Sequence, residues 1–217
     1  MKYVDSSEIK AFFIMLNNND IEYVLVKNIG DELPYSLEDG KGINILVHPD
    51  SKSEFERSMQ EGGFEKKTHT FGIENGWTFG YSMLPYQFWM KKNKPFTLYI
   101  DASFVLSCKS LMPKVCVPLK EHIDESIWKE KVFDIENNWW IIDDKNMLLY
   151  LLVRSIFDKK VFTEAYVNEI EKRKHHLNDI KYKLHVIFFT YTSRLTEMVA
   201  TGKYSDIIQD YVTFDEY

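Results

Sequence analysis

IEYVLVKNIGDELPYSLEDGKGINILVHPD, residues 21–50, holds two apolar runs separated by a polar loop. The first, IEYVLVKNIG, is rich in β-branched and aromatic residues and too short for a buried helix, so it reads as a buried strand. DELPYSLEDGKG follows, with Pro34, Gly40 and Gly42 marking a loop. INILVHP is a second strand, stopped by Pro49. Side chains two apart on a strand point to the same face, so Gly42 and Asn44 share one face.

Working outward, Ser6 and Ser7 precede Glu8, Ile9, Phe12, Phe13 and Leu16, whose spacing is helical, with Ser6 or Ser7 as N-cap. On the other side, Asp50 or Ser51 caps a helix that Gly62 and Gly63 close. Residues 64–82, with Gly72, Gly76 and Gly80, read as short strands and turns. FTLYIDASFVLS, residues 96–107, is a third strand. Residues 115–128 read as connecting structure, and VFDIENNWWIIDD as a hairpin turning at Asn137 and Asn138. Beyond Asp143 the pattern becomes helical, over Asn146–Lys159, Phe162–His175 and Tyr182–Val199. The expected fold class is α+β: a small mixed sheet flanked by two helices over residues 1–143, then a helical C-terminal region over residues 144–217.

With 45% hydrophobic and 15% aromatic residues among 217, the chain has ample material for a core. A net charge of −6 speaks against a nucleic-acid groove, which needs a positive face. The two cysteines, Cys108 and Cys116, lack zinc-type spacing and are read as reduced and structural. The opening MKYVDSSEIKAFF does not look like a secretory signal. The most apolar segment, Met147–Ile156, falls well short of the roughly 20 residues that a membrane span needs. The expected location is cytoplasmic.

The order helix, strand, loop, strand, helix, strand resembles the nucleotidyltransferase superfamily, the polymerase-β-like fold, and particularly its small members found beside polysaccharide-biosynthesis genes. YVLVKNIG stands where the first strand and its Gly-containing loop belong. KGINILV stands where such proteins often read DIDILV, and LYIDAS where the third strand carries its carboxylate. LLVRSIFDK resembles the helix that follows the core. The resemblance implies that Gly42 and Asn44 occupy the positions of the family's two acids and Asp101 that of the third. It implies that Lys27, Asn28 and Gly30 form the phosphate-holding loop. Three carboxylates would hold Mg²⁺ or Mn²⁺ on a nucleoside triphosphate. Here Gly42 offers no ligand, Asn44 is neutral and only Asp101 keeps a charge. The implied function is therefore a degenerate relative that binds a nucleotide or a sugar or polyol phosphate without efficient catalysis, or serves as a partner subunit in surface-polysaccharide assembly. The alternative is an active metal-dependent transferase acting on a small hydroxyl-bearing acceptor, with Glu38 and Asp39 supplying the missing ligands.

Arg154 and Lys159 on the first late helix are further phosphate candidates. The rings of Trp77, Phe79, Tyr81, Tyr86, Phe88 and Trp89 are dense enough to stack on a base or a sugar, or simply to form core. None of the six histidines has metal-ligand spacing, and His69, in THTFG among turns, is the one to examine. There is no Walker loop, no G-x-G-x-x-G and no nucleophile elbow.

Overall fold

A computed structural model describes residues 2–110 and 112–215. Its helices are α1 (Ser6–Asn18), α2 (Lys52–Glu61), α3 (Glu121–Glu130), α4 (Asp144–Val153), α5 (Glu164–Arg173), α6 (Lys181–Phe188), α7 (Thr192–Ala200) and α8 (Tyr204–Thr213). Its strands are β1 (Tyr23–Lys27), β2 (Gly42–Val47), β3 (Glu65–Lys67), β4 (Thr78–Phe79), β5 (Gln87–Asn93), β6 (Phe96–Ser103), β7 (Ser107–Lys109), β8 (Val115–Pro118), β9 (Val132–Asp134) and β10 (Trp139–Ile141). The class is α+β, but the sheet is larger than the sequence suggests. Seven strands run in the order β3-β5-β6-β2-β1-β10-β9, and β4, β8 and β7 form a separate three-stranded sheet.

The centre of the large sheet is mixed. β1 and β2 are antiparallel, β2 and β6 parallel, and β5 and β6 antiparallel. The β9–β10 hairpin, with Asn138 at positive φ, joins the sheet through β10, which runs parallel to β1. Three elements depart from the sequence reading. β5 forms a long hairpin with β6, and α3 occupies much of the stretch read as connection. The helix expected over Tyr182–Val199 breaks at Phe189, whose φ of 49° and ψ of −129° lie outside the helical region. The first helix is capped by Asp5, one residue before the expected serines, its carboxylate accepting from the Ser7 N–H.

Alternation along the strands sends side chains into two cores. Ile43, Ile45, Leu98, Ile100 and Ala102 pack with Ile9, Phe12, Phe13 and Leu16 of α1 and Phe55 and Met59 of α2. On the other face, Val24, Val26 and Leu46 join Ile123 and Ile127 of α3 and the aliphatic α4, whose Leu148, Leu149, Leu151 and Leu152 are all buried. The C-terminal helices thus share a core with the sheet. They cover its second face as far as Leu46 and leave the Gly42 and Asn44 end of β2 open, lining a cleft. Among the described residues no helix is long and apolar enough to cross a membrane.

Candidate functional site

Parallel pairing sets Gly42 opposite Tyr99 and Asn44 opposite Asp101. The antiparallel neighbours extend that second row: Lys27 on β1 faces Asn44, and Phe88 on β5 faces Asp101. Directly paired residues of adjacent strands project to the same side of a sheet. A register shift in β1 between Leu25 and Lys27 brings Lys27 onto the Asn44 row, so Lys27, Asn44, Asp101 and Phe88 form one line across four strands, and all four border a cleft of about 420 Å³. The line places a cation, an amide, a carboxylate and an aromatic ring in sequence. Tyr99 stacks on Phe88, with centroids 5.4 Å apart and ring planes 5° from parallel, and borders the same cleft.

The cationic end is the most distinctive part. Burial holds the Lys27 ammonium below its ordinary pKa, and the charges of Arg154 and Lys159 push in the same direction. Lys27 has no ion-pair partner within 4.0 Å among the described residues. Lys41, whose ammonium pairs with Glu32 at 2.6 Å, lines the cleft beside it. Arg154 opens a π-helical turn, Arg154–Lys159, where the Ser155 hydroxyl donates to the Leu151 carbonyl at 2.7 Å. Such turns rotate the following side chains out of α-helical register. Arg154 donates to the Tyr150 hydroxyl at 3.0 Å and lies 3.5 Å from Asp158. Its Nε is buried with no hydrogen bond.

Asp101 is held by a histidine. The Phe71 N–H donates to His69 Nδ1 at 2.8 Å, so the ring proton sits on Nε2, which donates to Asp101 Oδ1 at 2.5 Å. Tyr86 stacks on the imidazole at 5.1 Å, and the His69 carbonyl accepts from the Asn75 amide, fixing the ring in place. His69, Tyr86, Arg154 and Asp158 line a narrower extension of about 100 Å³ that meets the main cleft at Asn44 and Asp101. Asn44 Nδ2 donates to the Gly42 carbonyl at 3.0 Å, which turns its Oδ1 away from that contact.

These contacts do not fit a divalent ion. Gly42 brings no ligand, Asn44 has one amide atom bonded to backbone, and Asp101 has one oxygen on His69. Among the described residues no group of three His, Cys, Asp or Glu side chains is placed to hold a metal. Glu38 and Asp39 point elsewhere: Glu38 lies 3.7 Å from Lys41, and Asp39 accepts from the Thr97 N–H at 2.9 Å. Asn28 borders the cleft, yet its Oδ1 accepts from the Leu33 N–H and so organises the loop. Gly30, with φ of 69°, does not border this cleft, although its neighbour Ile29 does. It lines a separate depression against Ala165, Asn168 and Lys172 of α5, so it serves the turn rather than this cleft.

The family resemblance grouped Lys27, Asn28, Gly30, Gly42, Asn44 and Asp101, and all of these but Gly30 border the one cleft. The resemblance gave no reason to pair His69 with Asp101, 32 residues apart, because that contact depends on the turns between β3 and β4. The Phe88–Tyr99 stack depends likewise on the β5–β6 hairpin. No known protein-family profile matches the chain, and no curated protein matches it in sequence.

Proposed function

We propose that this chain is a nucleotidyltransferase-like protein that binds a phosphate-bearing small molecule, a nucleotide or a sugar or polyol phosphate, without efficient metal-dependent transfer. One observation carries the reading: the row Lys27–Asn44–Asp101 on adjacent strands, with a half-buried, unpaired ammonium at one end and Arg154, Lys159 and Lys41 around it. An unpaired cation in a partly desolvated cleft gains most from an anion that brings its own charge. The loss of transfer rests on the ligand count. One carboxylate, already hydrogen-bonded to His69, cannot balance a divalent ion and a triphosphate as three can.

The test has two parts. Calorimetric titration with inorganic phosphate and with ATP, CTP, GTP and UTP, with and without Mg²⁺, should show binding that Lys27→Met weakens at least tenfold. A pyrophosphate-release assay with the same four nucleotides should stay at background. Absence of any anion binding overturns the binding reading. Robust Mg²⁺-dependent pyrophosphate release overturns the loss of catalysis and means that other residues supply the metal ligands.

A further inference from the structure

Hydrogen-bond polarity changes along the row, and that change bears on what the cleft recognises. At one end the Lys27 ammonium has no ion-pair partner among the described residues, Lys41 beside it is already paired with Glu32, and Arg154, paired with Asp158, stands in the adjoining extension. In the middle stand acceptors. Asn44 is oriented by its Nδ2 donating to the Gly42 carbonyl, so its free amide atom is Oδ1. Asp101 is oriented by His69 Nε2–H on Oδ1, so its Oδ2 is free. Neither free oxygen has a hydrogen-bond partner among the described residues. At the far end is the stacked pair Phe88–Tyr99.

A phosphate set against Asp101 with no metal between them would be repelled. Hydroxyl groups would not be: an uncharged O–H donates to a carboxylate, and two neighbouring hydroxyls can use two neighbouring acceptors at once. We infer that the cleft takes a sugar phosphate with free vicinal hydroxyls, bound without a divalent metal, its phosphate on Lys27 and its hydroxyl pair on Asn44 Oδ1 and Asp101 Oδ2. This rests on the anion-binding reading above and deepens it. Adjacent strands lie about 4.8 Å apart, so roughly 10 Å separates Lys27 from Asp101 across the sheet, and the long lysine side chain can adjust to close that span on a pentose phosphate. The sugar phosphate can arrive free or as the ribose 5-phosphate of a nucleotide. In the second case the base would lie against Phe88 and Tyr99, since any base offers a π-face to an aromatic wall. His69 is then a positioning residue: it fixes Asp101 and leaves one oxygen for the ligand.

The experiment is calorimetric titration of the whole chain with inorganic phosphate, ribose 5-phosphate, AMP and 2′-deoxy-AMP, each in Mg²⁺ and in EDTA. Ribose 5-phosphate and AMP should bind at least tenfold more tightly than inorganic phosphate, equally in Mg²⁺ and EDTA. The 2′-deoxy compound should lose about tenfold against AMP. Equal affinity for ribose 5-phosphate and AMP identifies the free sugar phosphate as sufficient; tighter AMP binding adds the base. Asp101→Asn keeps an acceptor for His69 but offers the ligand an N–H in place of Oδ2. It should abolish the preference for AMP over 2′-deoxy-AMP without weakening inorganic phosphate, which the lost negative charge can only favour. Equal binding of phosphate, AMP and 2′-deoxy-AMP, still dependent on Lys27, overturns this inference and leaves the anion site standing. Binding of AMP only in Mg²⁺ also overturns it. Failure of every compound, phosphate included, removes the anion-binding reading itself.

Discussion

On one face of β2 and β6, Ile43, Ile45, Leu98, Ile100 and Ala102 lie under α1 and α2, shut off from water. On the other, Gly42, Asn44, Tyr99 and Asp101, each one residue away in the chain, open onto the cleft. The same two strands carry both sets because the pleat alternates. The faces differ in their cover. Two amphipathic helices seal the first face, whereas α3 and the C-terminal helices reach only as far as Leu46 on the second. A sealed core and an open cleft are thus lined by the same short segments, on alternate residues.

The sharpest way to break this contrast is to mutate neighbours. Ile100→Ala removes buried aliphatic volume from the sealed face and should destabilise the protein by about 3 kcal/mol in urea unfolding. Asp101→Asn, the next residue, should change stability by less than about 1 kcal/mol, because His69 Nε2–H still finds an acceptor. Similar losses in the two would mean that the cleft face is as much a packing surface as the other.

A carboxylate in the first turn of α3 sharpens the comparison from a different side. Asp124 accepts from the Leu106 N–H at 3.1 Å, and burial raises its pKa from 3.8 to about 7. Between those values the folded state holds a proton that the unfolded state has lost. Stability therefore falls as pH rises from about 4 to about 7 and stays reduced above that range. Full linkage over that shift is roughly 4 kcal/mol, and water around the partly exposed carboxylate reduces it, so Asp124→Asn should be more stable than wild type by about 2 kcal/mol at pH 8, with the difference vanishing near pH 4, as read from urea unfolding at the two pH values. A constant difference at both would assign the effect to packing rather than to charge.

A smaller effect is expected from restoring acids to the open face. A Cβ at Gly42 would meet nothing closer than 3.8 Å, so an added side chain has room. Gly42→Asp combined with Asn44→Asp should lower the melting temperature by about 2–4 °C through repulsion with Asp101. Mg²⁺ should restore the variant and leave wild type unmoved, since a ligand that binds only the folded form stabilises it. Equal Mg²⁺ responses would mean that the three positions do not form a shared site. The smallest change is Lys41→Ala at the exposed rim, where the pair with Glu32 is largely screened. It should alter stability by less than about 0.5 kcal/mol and weaken phosphate binding about twofold, an effect that disappears at high salt.

The sequence by itself determined the strands around Leu25, Ile45 and Ile100, the helices before and after them, and the shared face of Gly42 and Asn44; the pairing of Asn44 with Asp101 was implied only by the family resemblance. The strands, the helices and the shared face follow from local pattern, because strand alternation and helix periodicity are short-range properties. Tertiary structure alone decided the rest. β5 and β6 are close in the chain, but the hairpin's place beside α2 depends on a contact between distant segments, Trp89 against Phe55. The helix broken at Phe189 has continuous apolar periodicity, and only the packing of α6 and α7 against the shared core sets where it turns. The His69–Asp101 contact joins a turn to a strand through a fold that brings residues 32 apart in sequence to 2.5 Å, and Gly30 was carried to the α5 side by the same kind of long-range constraint. Local sequence fixes which face a side chain can take; which faces meet depends on contacts between segments far apart in the chain.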